Sequence, residues 1–399
     1  MGRMRRNAIA LGLAVALATA APLVRPSVAQ DPIADLIERL TSSQQRELKA
    51  WREARARYEA EASAYWSSVS DKRTERRKRI RAGGAATAED YVATYPPEYQ
   101  GPKLTPELAA LLAKEEERQP KPADPVPTVA DFREHAKAVY GFEPTRIPEP
   151  EFKRRYAREA LALGLGKDQI VRVYALETGG IGTADMQSGI NPLTGQGKAI
   201  STALGYAQLL NANSVNELVK HGPEFIARLA RMASAPATPK ARAVELRRKQ
   251  QIVQRMLSKA RAVPNEWAAH VRFGGTPAGL GIHALNLDGD VGPWLQAAKL
   301  NDIRKLAAAE GRPALTGPEI ELMNLAGPAT GLEMMTPVGR TMPTPNFFSR
   351  GGYERNPVVK GRTAAALLAE LEKRMDVHMK KAGAIEFARI FDEVAREPR

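Results

Sequence analysis

Glu177 carries the strongest chemical signal in this 399-residue chain. It closes the run Ile170-Val171-Arg172-Val173-Tyr174-Ala175-Leu176-Glu177, whose spacing predicts a helix. The residues three, four and seven positions before it are Tyr174, Val173 and Ile170. Its carboxylate is therefore expected to project from the apolar face. Near a helix C-terminus it also meets the negative end of the helix dipole. Desolvation and dipole both raise a carboxyl pKa, which suits a general acid working near neutral pH. The same pattern also fits a surface glutamate at a frayed helix end.

A sharp stop, Thr178-Gly179-Gly180, is followed by a polar, glycine-rich loop through Gly197. Next comes Ser201-Thr202-Ala203-Leu204-Gly205-Tyr206-Ala207-Gln208-Leu209-Leu210-Asn211-Ala212-Asn213-Ser214. The Gln208 amide can donate and accept at once, as a sugar ligand needs and as an ordinary turn can also use. Further along, Met323-Asn324-Leu325-Ala326-Gly327-Pro328 places another amide near a helix end.

On these segments the chain resembles the lytic transglycosylases, which share the lysozyme-like fold. ALETGG at 175–180 is similar to their helix-ending Glu followed by Ser/Thr and often Gly. GYAQLLNANS at 205–214 is similar to their Gly-x-x-Gln turn with a hydrophobic pair and a Ser/Thr cap. About 31 positions separate Glu177 from Gln208, close to what that fold uses. The resemblance covers residues 150–215 well and 310–330 loosely. It implies that Glu177 is the catalytic acid and base, and that Ser201, Gly205, Tyr206 and Gln208 bind the sugar chain. Asn324 would correspond to a substrate-positioning Asn, although Met323 replaces the family's aromatic there and Leu325 is an extra residue. The implied reaction cleaves the β-1,4 bond between N-acetylmuramic acid and N-acetylglucosamine in peptidoglycan. One carboxyl protonates the leaving oxygen, then acts as base on the muramic 6-hydroxyl, which closes a 1,6-anhydro ring. An ordinary glycosidase normally needs a carboxyl pair. Asp185 is the only acidic residue in the loop just after Glu177. The alternative is a non-catalytic envelope module that binds glycan or a protein partner through the same groove.

Other chemistries find less support. Five scattered His and no Cys offer no zinc spacing such as His-Glu-x-x-His. Asn286-x-Asp288-x-Asp290 hints at a calcium loop, but Val291 stands at the glycine position and no Glu closes it, so a plain turn is expected. Phosphate-cradling loops and a Ser nucleophile elbow are missing. No cofactor or metal is expected.

The elements that must position these residues read as helices. Hydrophobic residues make up 43% and aromatics only 6%, and sustained period-2 alternation is almost missing, so an all-α or nearly all-α chain follows. A charged helical arm is expected over 30–82, then a Pro/Gly-rich linker with one short helix, Thr105 to Glu117, over 83–128. A lysozyme-like domain follows over 129–375, with a basic insertion around 235–300, and then a C-terminal helical tail over 376–399.

The first residues read as a secretory leader. Arg3, Arg5 and Arg6 precede an apolar run from Ala8 to Leu23 and the small-residue site Ser27-Val28-Ala29. Removing residues 1–29 takes Arg3, Arg5, Arg6 and Arg25 away and lowers the net charge from +14 to +10. A basic periplasmic protein meets anionic neighbours, with peptidoglycan strands first among them, and export argues against nucleic acid. The run Lys72-Arg73-Thr74-Glu75-Arg76-Arg77-Lys78-Arg79 and the basic helix at 240–261 are expected to be either solvated faces or patches for an anionic envelope surface.

Overall fold

A computed structural model of the chain describes residues 34–118 and 125–398. The expected leader lies outside the described residues, as does the middle of the Pro-rich run near residue 120. No helix among the described residues is long and apolar enough to cross a membrane. The chain divides into two compact units, one made of Met1–Ala56 with Gln100–Pro122, the other of Arg57–Tyr99 with Ala123–Arg399. The described residues are helical, with only isolated bridges such as Leu204 to Leu209 in extended conformation.

The smaller unit contains α1 (Ala34–Arg39), the first part of α2 (Ser42–Arg81) and α3 (Pro106–Arg118). Its core is Leu36, Leu40, Leu48, Leu108 and Leu112. Thr41 and Gln44 exchange backbone and side-chain hydrogen bonds, which starts α2 with a capping box.

Among the described residues the larger unit holds thirteen further α-helices. They are α4 (Val129–Tyr140), α5 (Glu149–Ala162), α6 (Lys167–Glu177), α7 (Asn211–Ser234), α8 (Lys240–Arg261), α9 (Trp267–Gly274), α10 (Pro277–His283), α11 (Val291–Ala309), α12 (Gly317–Ala326), α13 (Pro328–Met334), α14 (Arg350–Arg355), α15 (Ala364–His378) and α16 (Ala382–Ala395). Two apolar clusters fill it. One gathers α5, α6, α12, α15 and α16, and the other gathers α4, α7, α8 and α10. α11 serves both, giving Ala297, Leu300 and Ile303 to the first and Val291, Leu295 and Ala298 to the second. A helix apolar nearly all round is a buried helix.

The boundaries differ from those expected in three places. The segment after residue 375 is no tail: α16 buries Ala384, Phe387, Ile390, Phe391 and Val394, and packs on α5 and α6. Residues around 235–300 are only in part an insertion, because 279–298 is buried almost without interruption and builds the core, while α8 covers α7. The arm also does not end at residue 82, since the chain from Arg57 to Tyr99 belongs to the larger unit.

The basic run shows why. Arg73 donates to the carbonyls of Pro345, Asn346 and Phe348, and Lys72 to those of Glu89 and Tyr91. Arg76 is 1% exposed. Its guanidinium pairs with Glu333, donates to the carbonyls of Asp90 and Asn346, and lies 4.0 Å over the Tyr91 ring. Lys72, Arg73 and Arg76 thus fasten α2 to the protein's own backbone, whereas Arg77, Lys78 and Arg79 of the same run are exposed. Helix α8 is similar, since Lys249 is buried between Asp288 and Asp290 and Arg242 pairs with Asp290. The Asp288-Gly289-Asp290 segment is accordingly a turn whose carboxylates hold protein cations, with Asp288 accepting from the Asp290 and Val291 amides at the start of α11.

Arg76→Met is expected to cost about 3–5 kcal/mol, because it strands the buried Glu333 carboxylate. Exposed Lys78→Ala should stay within about 0.5 kcal/mol. Urea unfolding of both variants checks this, and equal losses would mean that the Arg76 network contributes nothing.

Candidate active site

Helix α6 is held at both ends. At its start the Gln169 side chain accepts from Gly166 N and donates to the Leu315 carbonyl, while Asp168 Oδ2 accepts from Gly317 N at 2.8 Å. These bonds place the first turn of α12 beside the first turn of α6. Gly317 permits the approach, because a Cβ there would stand 2.7 Å from the Asp168 carbonyl oxygen. The two helices then run side by side in the same direction, and their later turns bring Glu177 to Asn324 and Glu321.

At the far end Thr178 Oγ1 bonds the Tyr174 carbonyl at 2.7 Å, and Gly179 and Gly180 turn the chain with φ of 64° and 70°. A side chain at Gly180 would collide with the His378 carbonyl, 2.3 Å from an added Cβ. His378 Nδ1 lies 3.1 Å from the Ala175 carbonyl, and Ala384 N donates to the Gly180 carbonyl at 3.0 Å. Helices α15 and α16 thus bind the end of α6, so Glu177 does not sit on a frayed terminus.

Ile170, Val173 and Tyr174 are buried, as their spacing required. Glu177 itself is half-buried and meets polar neighbours as well as apolar ones. Asn324 Nδ2 donates to Glu177 Oε1 at 2.9 Å and to Glu321 Oε2 at 3.3 Å. Glu177 and Glu321 also hydrogen-bond each other through their side chains. On the side of α11, the Lys299 ammonium faces Glu177, Glu321 and Glu217.

Burial pushes the Glu177 carboxyl up to about 7, while Lys299, Glu321 and Asn324 pull it part of the way back. Glu321 is 3% exposed, and burial followed by the Glu177 charge holds its carboxyl well above the usual range. Burial lowers the Lys299 ammonium, against the pull of the three glutamates. The two carboxyls titrate as a pair. Together they hold a proton well above the usual carboxyl range.

Sequence reasoning missed Glu321. The signal was a Glu between the apolar residues Ile320, Leu322 and Met323, three positions before Asn324 and so on the same helix face. Asp185 is engaged elsewhere, by Arg146 and by Thr183.

The other expected sugar-binding residues have internal partners. Tyr206 is 1% exposed, its ring packs among Phe152, Tyr156, Tyr174 and Phe387, and its hydroxyl bonds Glu149. It is a core residue rather than a cleft surface, because the Leu204–Leu209 turn directs it inward. Gln208, at φ 41°, donates to the Met186 and Gly205 carbonyls at 3.1 and 2.8 Å. Gly205 packs against Gln296, where an added Cβ would lie 2.5 Å from Nε2. Ser201 Oγ accepts from Ala203 N. This segment closes its own turn, and of the expected residues it is Asn324 that hydrogen-bonds Glu177. A cavity of about 280 Å³ between α4 and α8 is lined by Lys137, Phe142, Arg248 and Ile252 and shares no residue with the carboxyl pair.

No family model matches the chain, and no curated protein or solved structure matches it either.

The raised carboxyl has a thermodynamic signature. Folded protein keeps the Glu177 proton up to about pH 7, whereas an unfolded Glu releases it near 4.5. Between these values the folded state binds more protons, so this group's contribution to stability falls as pH rises through the window. Glu177→Gln removes that titration. The variant's stability relative to wild type should grow from about pH 4.5 to a plateau above pH 7, on the order of 3 kcal/mol. Denaturant titrations over this range check it, and a difference independent of pH would contradict the raised carboxyl.

Proposed function

We propose that the chain is an exported peptidoglycan lytic transglycosylase, cleaving between N-acetylmuramic acid and N-acetylglucosamine and leaving a 1,6-anhydro end. The observation that carries this reading is the Glu177 carboxyl, half-buried, bonded by Asn324 and poised to exchange a proton near neutral pH. Protonated Glu177 gives its proton to the glycosidic oxygen as the bond to C1 breaks. The carboxylate so formed, supported by Asn324 Nδ2 and faced by Lys299, takes the proton of the C6 hydroxyl as that oxygen bonds C1. Glu177 ends the cycle protonated, as it began.

The carboxyl pair favours this course over hydrolysis. A retaining glycosidase holds its two carboxyls about 5–5.5 Å apart and an inverting one about 6.5–9.5 Å apart, on opposite sides of the bond or water. Glu177 and Glu321 instead both accept from one amide nitrogen, Asn324 Nδ2, at 2.9 and 3.3 Å. Glu321 is then a proton-sharing neighbour of Glu177. The reading also takes the order of residues 3–29 as a leader cleaved after Ala29.

Glu177→Gln should lose about 10²–10⁴ of the rate on isolated murein, the usual worth of general acid–base assistance, while keeping its fold. Wild-type digests should show anhydro-muramic ends by mass spectrometry, one water lighter than hydrolysis products. Reducing ends would mean a hydrolase. A wild type that releases nothing would favour the glycan-binding or protein-interaction module, and a Gln variant with full turnover would remove Glu177 from the chemistry.

N-terminal sequencing of protein from its native host should begin near Gln30 or Asp31. An intact Met1 on membrane-bound protein would contradict the cleaved leader.

A further inference from the structure

A second group of ionisable residues stands beyond Lys299, at the contact of α7 with α11. Glu217 and His221 are four positions apart on α7 and share a face, and Asp302 reaches them from α11. Among the described residues, this is the group of His, Asp and Glu whose donor atoms converge, all three lying within 4.8 Å of one another.

We infer that Glu217, His221 and Asp302 form a binding site for a divalent transition-metal ion, and that Zn²⁺ is the cation their geometry suits. His221 Nε2 lies 3.1 Å from Asp302 Oδ2 and 3.5 Å from Glu217 Oε2. Donors on a tetrahedral Zn²⁺ at about 2.0–2.1 Å stand about 3.3 Å from one another, so these two edges need little adjustment. One imidazole and two carboxylates suit zinc better than calcium, which takes six to eight oxygens. The fourth position is left for water.

The state of Glu217 points independently to a ligand. The residue is 2% exposed, and its Oε2 is buried without a hydrogen bond. Such an oxygen is costly to leave unpaired. The other oxygen, Oε1, accepts from Asn216 Nδ2 at 2.9 Å, which fixes the carboxylate with Oε2 aimed at His221. A bonded outer oxygen of this kind is how ligating carboxylates are oriented.

Lys220 competes with the cation. Its ammonium lies 3.1 Å from Asp302 Oδ2 and 3.6 Å from Glu217 Oε1, and it supplies the positive charge in the metal-free protein. The side chain is 43% exposed, so it can swing into solvent when a metal enters. The Lys299 ammonium is attracted by both Glu177 and Glu217, and none of the three donor residues is bonded to Glu177 or Asn324. The metal would therefore tie α7 to α11 without joining the acid–base step, and the inference stands whether or not Glu177 acts on murein.

The test is calorimetric titration of Zn²⁺ into full-length protein stripped with a chelator, with Mg²⁺ and Ca²⁺ in parallel. The expected result is one Zn²⁺ per chain, no stoichiometric heat with Mg²⁺ or Ca²⁺, and a rise in thermal midpoint with Zn²⁺. His221→Ala and Asp302→Asn should weaken binding at least about tenfold, as losing a ligand costs no less than losing its supporting partner, and should lose the midpoint shift. Both residues are partly exposed, so these variants carry the test if Glu217→Gln disturbs the fold. Lys220→Met should bind more tightly, because it removes the competing charge. No Zn²⁺ uptake by the wild type, uptake that survives His221→Ala, equal uptake of Mg²⁺, or weaker binding by Lys220→Met would each overturn the assignment.

Discussion

Two carboxyl groups in hydrogen-bond contact cannot both ionise without a large cost, and inside a protein that cost rises further. Glu177 and Glu321 are kept in this contact, with the Asn324 amide shared between them. Left on loose supports, two such groups would separate and solvate. Here they cannot, because α6 and α12 are joined at their first turns by Asp168, Gln169 and the close approach at Gly317. The later turns have little choice of distance. The proton held near neutral pH is thus a product of helix packing at the other end of the same two helices.

Helix α11 extends this constraint to the rest of the larger unit. It is the one helix that contributes several residues to both apolar clusters, and it carries Lys299 past the carboxyl pair and Asp302 to the group on α7. Along it, negative and positive groups alternate: Glu321 and Glu177, then Lys299, then Glu217, then Lys220 with Asp302. Lys299 and the glutamates favour each other's charged forms while Glu177 opposes that of Glu321, so removing one member changes the protonation of the next. Rigid packing and the row of charges depend on each other for this reason.

How much of this was legible in the sequence depended on how local the cause was. Glu177 was legible because its own helix buries the residues before it, and Asn324 because a motif resemblance pointed to it. The bounds of α6 and α8 followed from glycines and proline at their ends. Glu321 was not legible, because nothing near it says which other carboxyl it will meet. Within the run from Lys72 to Arg79 a string of cations reads as solvated, which holds for Arg77, Lys78 and Arg79 but not for Arg73, whose partners are carbonyls more than 250 positions away. Tyr206 and Gln208 looked like ligand residues by type, but the Tyr206 ring packs in the core and the Gln208 amide donates to the Met186 and Gly205 carbonyls. Sequence shows which groups are able to bond, and tertiary contact decides which bonds they make.

The fastening of α6 also has a consequence in time. The His378 that binds the Ala175 carbonyl lies 203 positions after it, and the bond from Ala384 to Gly180 spans a similar distance. A chain made from its N-terminus has therefore completed the helix bearing Glu177 long before the segment that secures its end exists. A nascent or prematurely terminated chain presents that glutamate on a loose, hydrated helix end, with the ordinary acidity of a solvent-exposed side chain. The raised carboxyl thus depends on partners that the ribosome adds only after the helix that carries it.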